Sequence, residues 1–175
     1  MCYFLWDSCY NGDCEVINHD NGNIVSTMKR PLLEEGFNTF VRQNDAISIL
    51  KKVINKDEKS FSDIISSRKP FGLPTNFKDF KSYEFEGSIK IYANKTNGFV
   101  DRNYINKNLN WVNKYKIYIP EAIGEGNMSK DQLKPIISGY NTCCTETYIV
   151  VGPFENEIET RNTCTYMKTN FFHFM

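Results

Sequence analysis

The chain has 175 residues, and its 21 basic and 21 acidic side chains give a formal net charge of zero. At this length, folding buries roughly two-thirds of the unfolded surface, and the 13 phenylalanines and 10 tyrosines exclude a disordered chain. The sequence contains neither a run of about 20 apolar residues nor a secretory signal, which predicts a cytoplasmic protein without membrane contact.

A hairpin and a helix are predicted in the first third of the chain. Residues 15–19 and 23–29 are β-compatible and flank Asp20-Asn21-Gly22, where Asn and Gly accept the positive φ of a tight turn. Residues 37–42 are predicted as another strand. Asn44 is expected to cap a helix with one apolar face, formed by Ala46, Ile47, Leu50, Val53 and Ile54.

A loop of defined shape and a second hairpin are predicted next. After a short helix over 61–66, the segment Lys69-Pro70-Phe71-Gly72-Leu73-Pro74 contains two prolines and a glycine. Neither a helix nor a central strand can run through it, so it is predicted as a shaped loop. Residues 88–94 and 99–102 are predicted to pair as strands across a turn at 95–98.

The last third is predicted to contain strands followed by a helix. A strand is expected within 111–119, a long loop over 120–134, and a strand over 145–151 that Pro153 ends. Acidic residues from Glu155 onward favour a helix N-terminus. The pattern as a whole predicts an α+β fold in one domain over residues 1–175, with a mixed or mainly antiparallel sheet and a few packed helices.

The cysteines and the search for motifs predict no enzymatic site in this chain. Cys143 and Cys144 are neighbours, no pair has C-x-x-C spacing, and there are only two histidines, so reduced thiols and no metal site are expected. Nucleophile-turn, phosphate-loop, dinucleotide and zinc-helix motifs are absent from the sequence. A hydrolase that pairs Cys144 with His173 stays as a minor alternative.

Positive charge is concentrated in the middle of the chain. Residues 66–116 carry ten Lys or Arg against four Asp or Glu, a local excess of six, whereas residues 117–160 are acidic. Such a segment is either a solvated face or an electrostatic footprint for a polyanion.

Five sequence blocks occur in one order along nearly the whole chain. They are Cys2-Tyr3-Phe4-Leu5-Trp6-Asp7 with Gly12-Asp13-Cys14, then Phe37 to Val53, Ser66-Ser67-Arg68-Lys69-Pro70-Phe71-Gly72-Leu73, Asn141 to Val150, and Tyr166 to Phe172. Together they resemble the C-terminal target-recognition region of type II restriction-modification enzymes with an adenine-specific DNA methyltransferase, related to the Taq-type methylases. In the final F-F-x-F segment, this chain has His173 where the relatives tend to have Arg.

The resemblance implies that the chain recognises DNA for a methyltransferase and is itself non-catalytic. In that family an upstream domain of the same polypeptide binds S-adenosylmethionine and holds a flipped adenine with an Asn-Pro-Pro-Tyr type of motif, which this sequence lacks. The resemblance thus implies no cofactor here, double-stranded DNA as partner and a covalently linked methyltransferase domain. The apolar runs 2–6 and 171–175 also favour a piece of a longer polypeptide. Whether the parent also cleaves DNA stays open.

The candidate contacts with DNA lie in the basic segment. Cations hold phosphates, whereas Arg or Lys suits guanine and Asn suits adenine in the major groove. The predicted phosphate contacts are Lys90, Lys95, Arg102, Lys107, Lys114 and Lys116. The predicted base contacts are Arg68, Lys69, Asn94 and Asn97, while Glu146 is expected to pair with a nearby cation. The alternative function is a protein-interaction module that joins the methyltransferase to a nuclease or specificity subunit.

Overall fold

The computed structural model describes residues 3–37, 39–53, 59–121 and 133–174 of the chain. These residues form eight strands in three mainly antiparallel sheets together with three α-helices, so the predicted α+β class is confirmed. The strands do not join into one sheet. They fall into two compact units, one extending to residue 58 and the other running from Lys59 to His173. Among the described residues, none of the helices has the length and apolar character needed to span a membrane.

The first unit contains the predicted hairpin and helix. Strands β1 (Cys14–Asp20) and β2 (Asn23–Arg30) pair antiparallel, and Asn21 and Gly22 take positive φ in the turn between them, as predicted. Helix α1 (Asn44–Val53) contacts both strands. Its buried apolar residues are Ala46, Ile47 and Leu50, whereas Val53 is exposed and residue 54 lies outside the described ranges.

Polar side chains connect α1 to the hairpin, and they correct the predicted cap. The backbone N–H of Asn44 donates to Asn18 Oδ1 over 2.8 Å, so Asn18 caps the helix. The Asn44 side chain instead donates to the Val16 carbonyl over 2.9 Å and to Ser26 Oγ over 3.0 Å. Its Oδ1 accepts from Arg30 Nε over 3.1 Å. Asn44 is thereby buried with its polar atoms satisfied.

The strand predicted over residues 37–42 is wrong for the described part of that segment. The carbonyl of Val41 accepts from the Arg30 guanidinium, and the carbonyl of Arg42 accepts from Asn18 Nδ2 over 2.8 Å. Because side chains satisfy these carbonyls, this backbone needs no neighbouring strand.

The second unit contains two three-stranded sheets, in the orders β4-β3-β7 and β6-β5-β8. Strands β3 and β7 are parallel, and the other pairs are antiparallel. The strands are β3 (Ser88–Ala93), β4 (Thr96–Asp101), β5 (Tyr115–Pro120), β6 (Ile136–Ser138), β7 (Thr142–Cys144) and β8 (Tyr148–Phe154). Two helices follow, α2 (Glu157–Met167) and α3 (Asn170–Phe174), and Asn156 caps α2 through its side chain.

Alternate residues of β5 enter two hydrophobic cores. Tyr118 is buried with Phe71 and Ile91 between the two sheets, whereas Ile117 is buried with Met167 beneath α2. The sheet β6-β5-β8 is therefore covered on both faces. This explains why β5 has no exposed residue in the sequence Tyr-Lys-Ile-Tyr-Ile-Pro.

Several boundaries in the second unit differ from those predicted. The hairpin turn consists of Asn94 and Lys95, with Lys95 at a φ of 58°, so residues 96–98 belong to β4. The helix predicted at 61–66 is a 3-10 turn over Phe61–Ile64. Strand β8 continues through Pro153, which an edge strand tolerates because it needs no N–H on that side. The long loop predicted at 120–134 lies mostly outside the described residues.

Candidate nucleic-acid interface

The shaped loop around Pro70 and Phe71 is fixed by burial and by close backbone approach. The side chain of Phe71 is fully buried, and the Gly72 N–H closes a turn onto the Lys69 carbonyl over 3.0 Å. Gly72 has a φ of +82°, and a Cβ there would lie 1.7 Å from Asn106 Oδ1. Asn108 Nδ2 also donates to the Pro70 carbonyl over 2.8 Å. The loop therefore holds its flanking cations at defined positions.

The two cations that start this loop are paired with carboxylates. Arg68 Nε lies 2.6 Å from Glu146 Oε1 and 3.3 Å from Glu121 Oε1. Lys69 Nζ lies 3.6 Å from the other oxygen of Glu146. The predicted pairing of Glu146 with a cation is confirmed. Of these two cations, which are two of the four predicted base contacts, Arg68 is the more exposed, at 72% against 44% for Lys69.

Lys116 was predicted to contact phosphate, and the structure corrects this. The residue is fully buried, and its Nζ donates to the carbonyls of Val112, Lys114 and Gly139 over 3.2, 2.8 and 2.9 Å. Burial lowers its pKa from 10.5 to about 8. A phosphate cannot reach this ammonium in the described structure. The signal that the sequence offered was a lysine inside an otherwise apolar β run.

Lys114, another predicted phosphate contact, is engaged in an ion pair. Its Nζ donates to both carboxylate oxygens of Glu155 over 2.8 and 2.7 Å. This pair could not be predicted from the sequence, because the two residues are far apart along the chain. The pair compensates the charge of Lys114 locally.

The β3–β4 hairpin presents four of the candidate residues without carboxylate partners. Lys90, Asn94, Lys95 and Asn97 are all exposed, and within the described ranges neither lysine has a carboxylate within 4.0 Å. Lys90 Nζ lies 5.4 Å from the centre of the Tyr92 ring. The opposite face of the hairpin packs Ile89, Ile91 and Val100 into the core, which makes it a rigid support.

Arg102 and Lys107 lie beyond the base of this hairpin and are exposed. Arg102 follows β4 and lines an open cleft of about 670 Å³ together with Glu84, Glu86 and Asn141. Neither Arg102 nor Lys107 has a carboxylate within 4.0 Å among the described residues. These two cations and the two hairpin lysines are thus the predicted contacts that the described structure leaves without an ion pair.

The two neighbouring thiols of β7, Cys143 and Cys144, are poor nucleophiles. Cys143 and Cys144 are fully buried, and burial raises the pKa of Cys143 to about 12 and that of Cys144 well above its usual value. A thiolate is thus disfavoured. The side chain of His173, the suggested base, lies outside the described residues. Among the side chains described, no cluster of three His, Cys, Asp or Glu suits a metal ion.

Comparison of the chain with family models, with curated proteins and with solved structures found no match in any of the three. The resemblance to target-recognition regions of adenine methyltransferases stays a prediction from the sequence.

Proposed function

We propose that the chain binds double-stranded DNA in the cytoplasm and selects the target sequence of an adenine-specific DNA methyltransferase. The observation that carries this function is the β3–β4 hairpin, in which two lysines and two asparagines project from a rigid sheet without carboxylate partners. A methyltransferase domain of the same polypeptide would bind S-adenosylmethionine. This chain supplies recognition and holds no cofactor.

The size and chemistry of the hairpin suit a duplex groove. Its six-residue strands extend about 20 Å at about 3.3 Å per residue. β3 is also paired with β7 along Lys90 to Tyr92, so it is the exposed turn end of the hairpin, at Asn94 and Lys95, that would enter a major groove about 12 Å wide. In this proposal Lys90 and Lys95 hold phosphates, while the amides of Asn94 and Asn97 have the donor and acceptor pair that adenine requires. Both asparagines are exposed.

The test is a titration of duplex DNA at several salt concentrations. The double substitution Lys90→Ala with Lys95→Ala should lower the slope of log affinity against log salt by about 1.8, because each lost phosphate contact contributes about 0.9. A matched control is Lys114→Ala, which also removes a lysine charge but from the ion pair with Glu155. The control should keep the wild-type slope, and circular dichroism should show all variants folded.

An unchanged slope in the double variant would exclude the hairpin from the DNA interface. Absence of any duplex binding by the wild-type chain would refute the proposed function as a whole. Wild-type affinity is expected to be weak, with a non-specific Kd on the order of 10⁻⁴ to 10⁻⁶ M, because the methyltransferase domain would form the other wall of the cleft.

A protein-interaction module is the second candidate function, and the first unit favours it. Ile24 and Val25 on β2 are 62% and 60% exposed, and Ile17 on β1 is 42% exposed. Exposed apolar groups of this kind mark protein contacts when they are contiguous. In this function, the chain would bind a nuclease or specificity subunit through contacts that added salt does not weaken. Ile24→Ser with Val25→Ser would abolish that association and leave duplex binding unchanged.

A further inference from the structure

Arg68 is held in an unusual way for an exposed arginine. Its side chain is 72% exposed, yet its Nε lies 2.6 Å from a carboxylate oxygen of Glu146, a residue that is itself only 7% exposed. The second oxygen of Glu146 faces Lys69 Nζ at 3.6 Å. The Glu146 backbone N–H donates to the Leu73 carbonyl over 2.8 Å, which ties the carboxylate to the same loop that carries Arg68.

The closest contacts of Arg68 are made at the inner nitrogen of its guanidinium. Glu146 and Glu121 approach Nε most closely, at 2.6 and 3.3 Å, and Nε is the nitrogen nearest the backbone. The terminal Nη1 and Nη2 lie farther out along the exposed side chain. A guanidinium has five N–H donors in a fixed fork, four of them on these two nitrogens, and the 72% exposure of the side chain gives a ligand access to it.

The contacts of Glu146 with Arg68 and Lys69 differ from an ordinary surface ion pair. Exposed ion pairs contribute little to stability, and burying a carboxylate is unfavourable unless its partners are well placed. Here the fold buries Glu146 and gives it two cations from one rigid loop. An arginine held in this way loses less conformational entropy when its outer nitrogens bind a planar acceptor pair. Guanine presents such a pair, O6 and N7, in the major groove.

We propose that Glu146 is a positioning residue that orients Arg68 to read one guanine of the DNA target through Nη1 and Nη2. The inference rests on the proposed function, because it names one base of the DNA target that the chain would select. Glu146 does not touch the DNA. It fixes the direction of the guanidinium, and Arg68 makes the contact.

The experiment measures base preference separately from overall affinity. Duplexes selected from a randomised library by the wild-type chain should share one guanine, and replacing that G·C pair should weaken binding by about 5- to 150-fold. The guanine ratio is the affinity for the selected duplex divided by the affinity for the duplex with that G·C pair replaced. Glu146→Gln should reduce this ratio towards one. It should not weaken binding to unselected duplex, because the substitution removes a negative charge. A purely structural role would change both affinities together. The matched control is Glu157→Gln, which removes a carboxylate from the exposed Arg161 pair on α2 and should leave the ratio unchanged.

Arg68→Lys covers the case in which Glu146→Gln fails to fold. Arg68 is exposed and the variant keeps the positive charge, so the fold and the salt dependence should persist while the guanine ratio falls to within a few-fold of one. A guanine ratio that survives Arg68→Lys, or survives Glu146→Gln in a folded chain, overturns the inference. Wild-type binding without guanine preference overturns it as well and leaves the proposed function standing. Absence of all duplex binding overturns both.

Discussion

The buried Lys116 gives a quantitative prediction for the pH dependence of stability. Its ammonium is enclosed by three backbone carbonyls, and burial lowers its pKa from 10.5 to about 8. Below pH 8 both folded and unfolded chains carry the charge, and its burial costs the folded state roughly 3 kcal/mol. Between pH 8 and 10.5 the unfolded chain binds more protons than the folded chain. The free energy of unfolding contributed by Lys116 therefore rises with pH in this window.

The neighbouring thiols act in the opposite direction, so the comparison must be made against a variant that retains them. Burial raises the pKa of Cys143 from 9.0 to about 12 and also raises that of Cys144. Above pH 9 the folded chain then binds more protons at these thiols, and stability falls as pH rises. The phenol of Tyr118, whose pKa burial also raises, adds to this fall at higher pH. Subtracting the curve of Lys116→Met from that of the wild type cancels these contributions.

Urea unfolding with reductant, followed from pH 7.5 to 9.5, provides the measurement. The wild type should gain about 2 kcal/mol relative to Lys116→Met over this interval. The difference in the free energy of unfolding between the two proteins at pH 7.5 is less informative. The substitution removes the unfavourable burial of a charge, which stabilises the chain, but it also removes three hydrogen bonds, which destabilises it. Lys114→Met is the matched control, because it removes a lysine that pairs with Glu155 at the surface and is not enclosed by carbonyls. Parallel curves for the wild type and Lys116→Met would refute this account of the buried charge.

Two further predictions concern packing and thiol access. Gly98→Ala should lower the free energy of unfolding by about 1–3 kcal/mol, since a Cβ would lie 2.4 Å from a phenylalanine ring and 2.6 Å from a backbone carbonyl. Gly139→Ala, where the nearest atom is 3.5 Å away, should change it by under about 1 kcal/mol, and equal losses in urea unfolding would contradict the assigned packing. In the native chain, the exposed Cys9 should react with a thiol reagent, whereas Cys143 and Cys144 should react only after unfolding. Rapid native labelling at either buried position, located by mass spectrometry, would contradict their burial.

Local sequence signals predicted the elements that depend on local chemistry. Asn21 and Gly22 identified the first hairpin because few residue types accept its turn geometry. The acidic start of α2 identified the helix that begins at Glu157. In contrast, β6 and β7 have three residues each, and β7 pairs with β3 across a long stretch of sequence. A strand that short has no periodicity of its own, so only its partner defines it.

The same contrast applies to the candidate site. The alternation Ser-Ile-Lys-Ile-Tyr-Ala predicted that Lys90 lies on a strand, and its neighbours Ile89 and Ile91 are buried as that alternation requires. The sequence did not predict which cations are compensated. Arg68 meets Glu146, and Lys114 meets Glu155, only because the fold brings distant segments together. Charge counted along a sequence therefore overestimates the charge available to a ligand.

This local compensation bears on the proposed binding of DNA by a chain of zero net charge. With Arg68, Lys69 and Lys114 paired and Lys116 buried, the candidates for phosphate contact without an ion pair among the described residues are Lys90, Lys95, Arg102 and Lys107. Four such contacts would give a salt slope of about 3.6, so raising salt from about 50 to about 200 mM would weaken binding roughly 150-fold. A protein with six or more phosphate contacts loses roughly 10³-fold or more over the same range. A recognition domain with so few phosphate contacts would supply base selection, while the methyltransferase domain would supply most of the affinity for the duplex backbone.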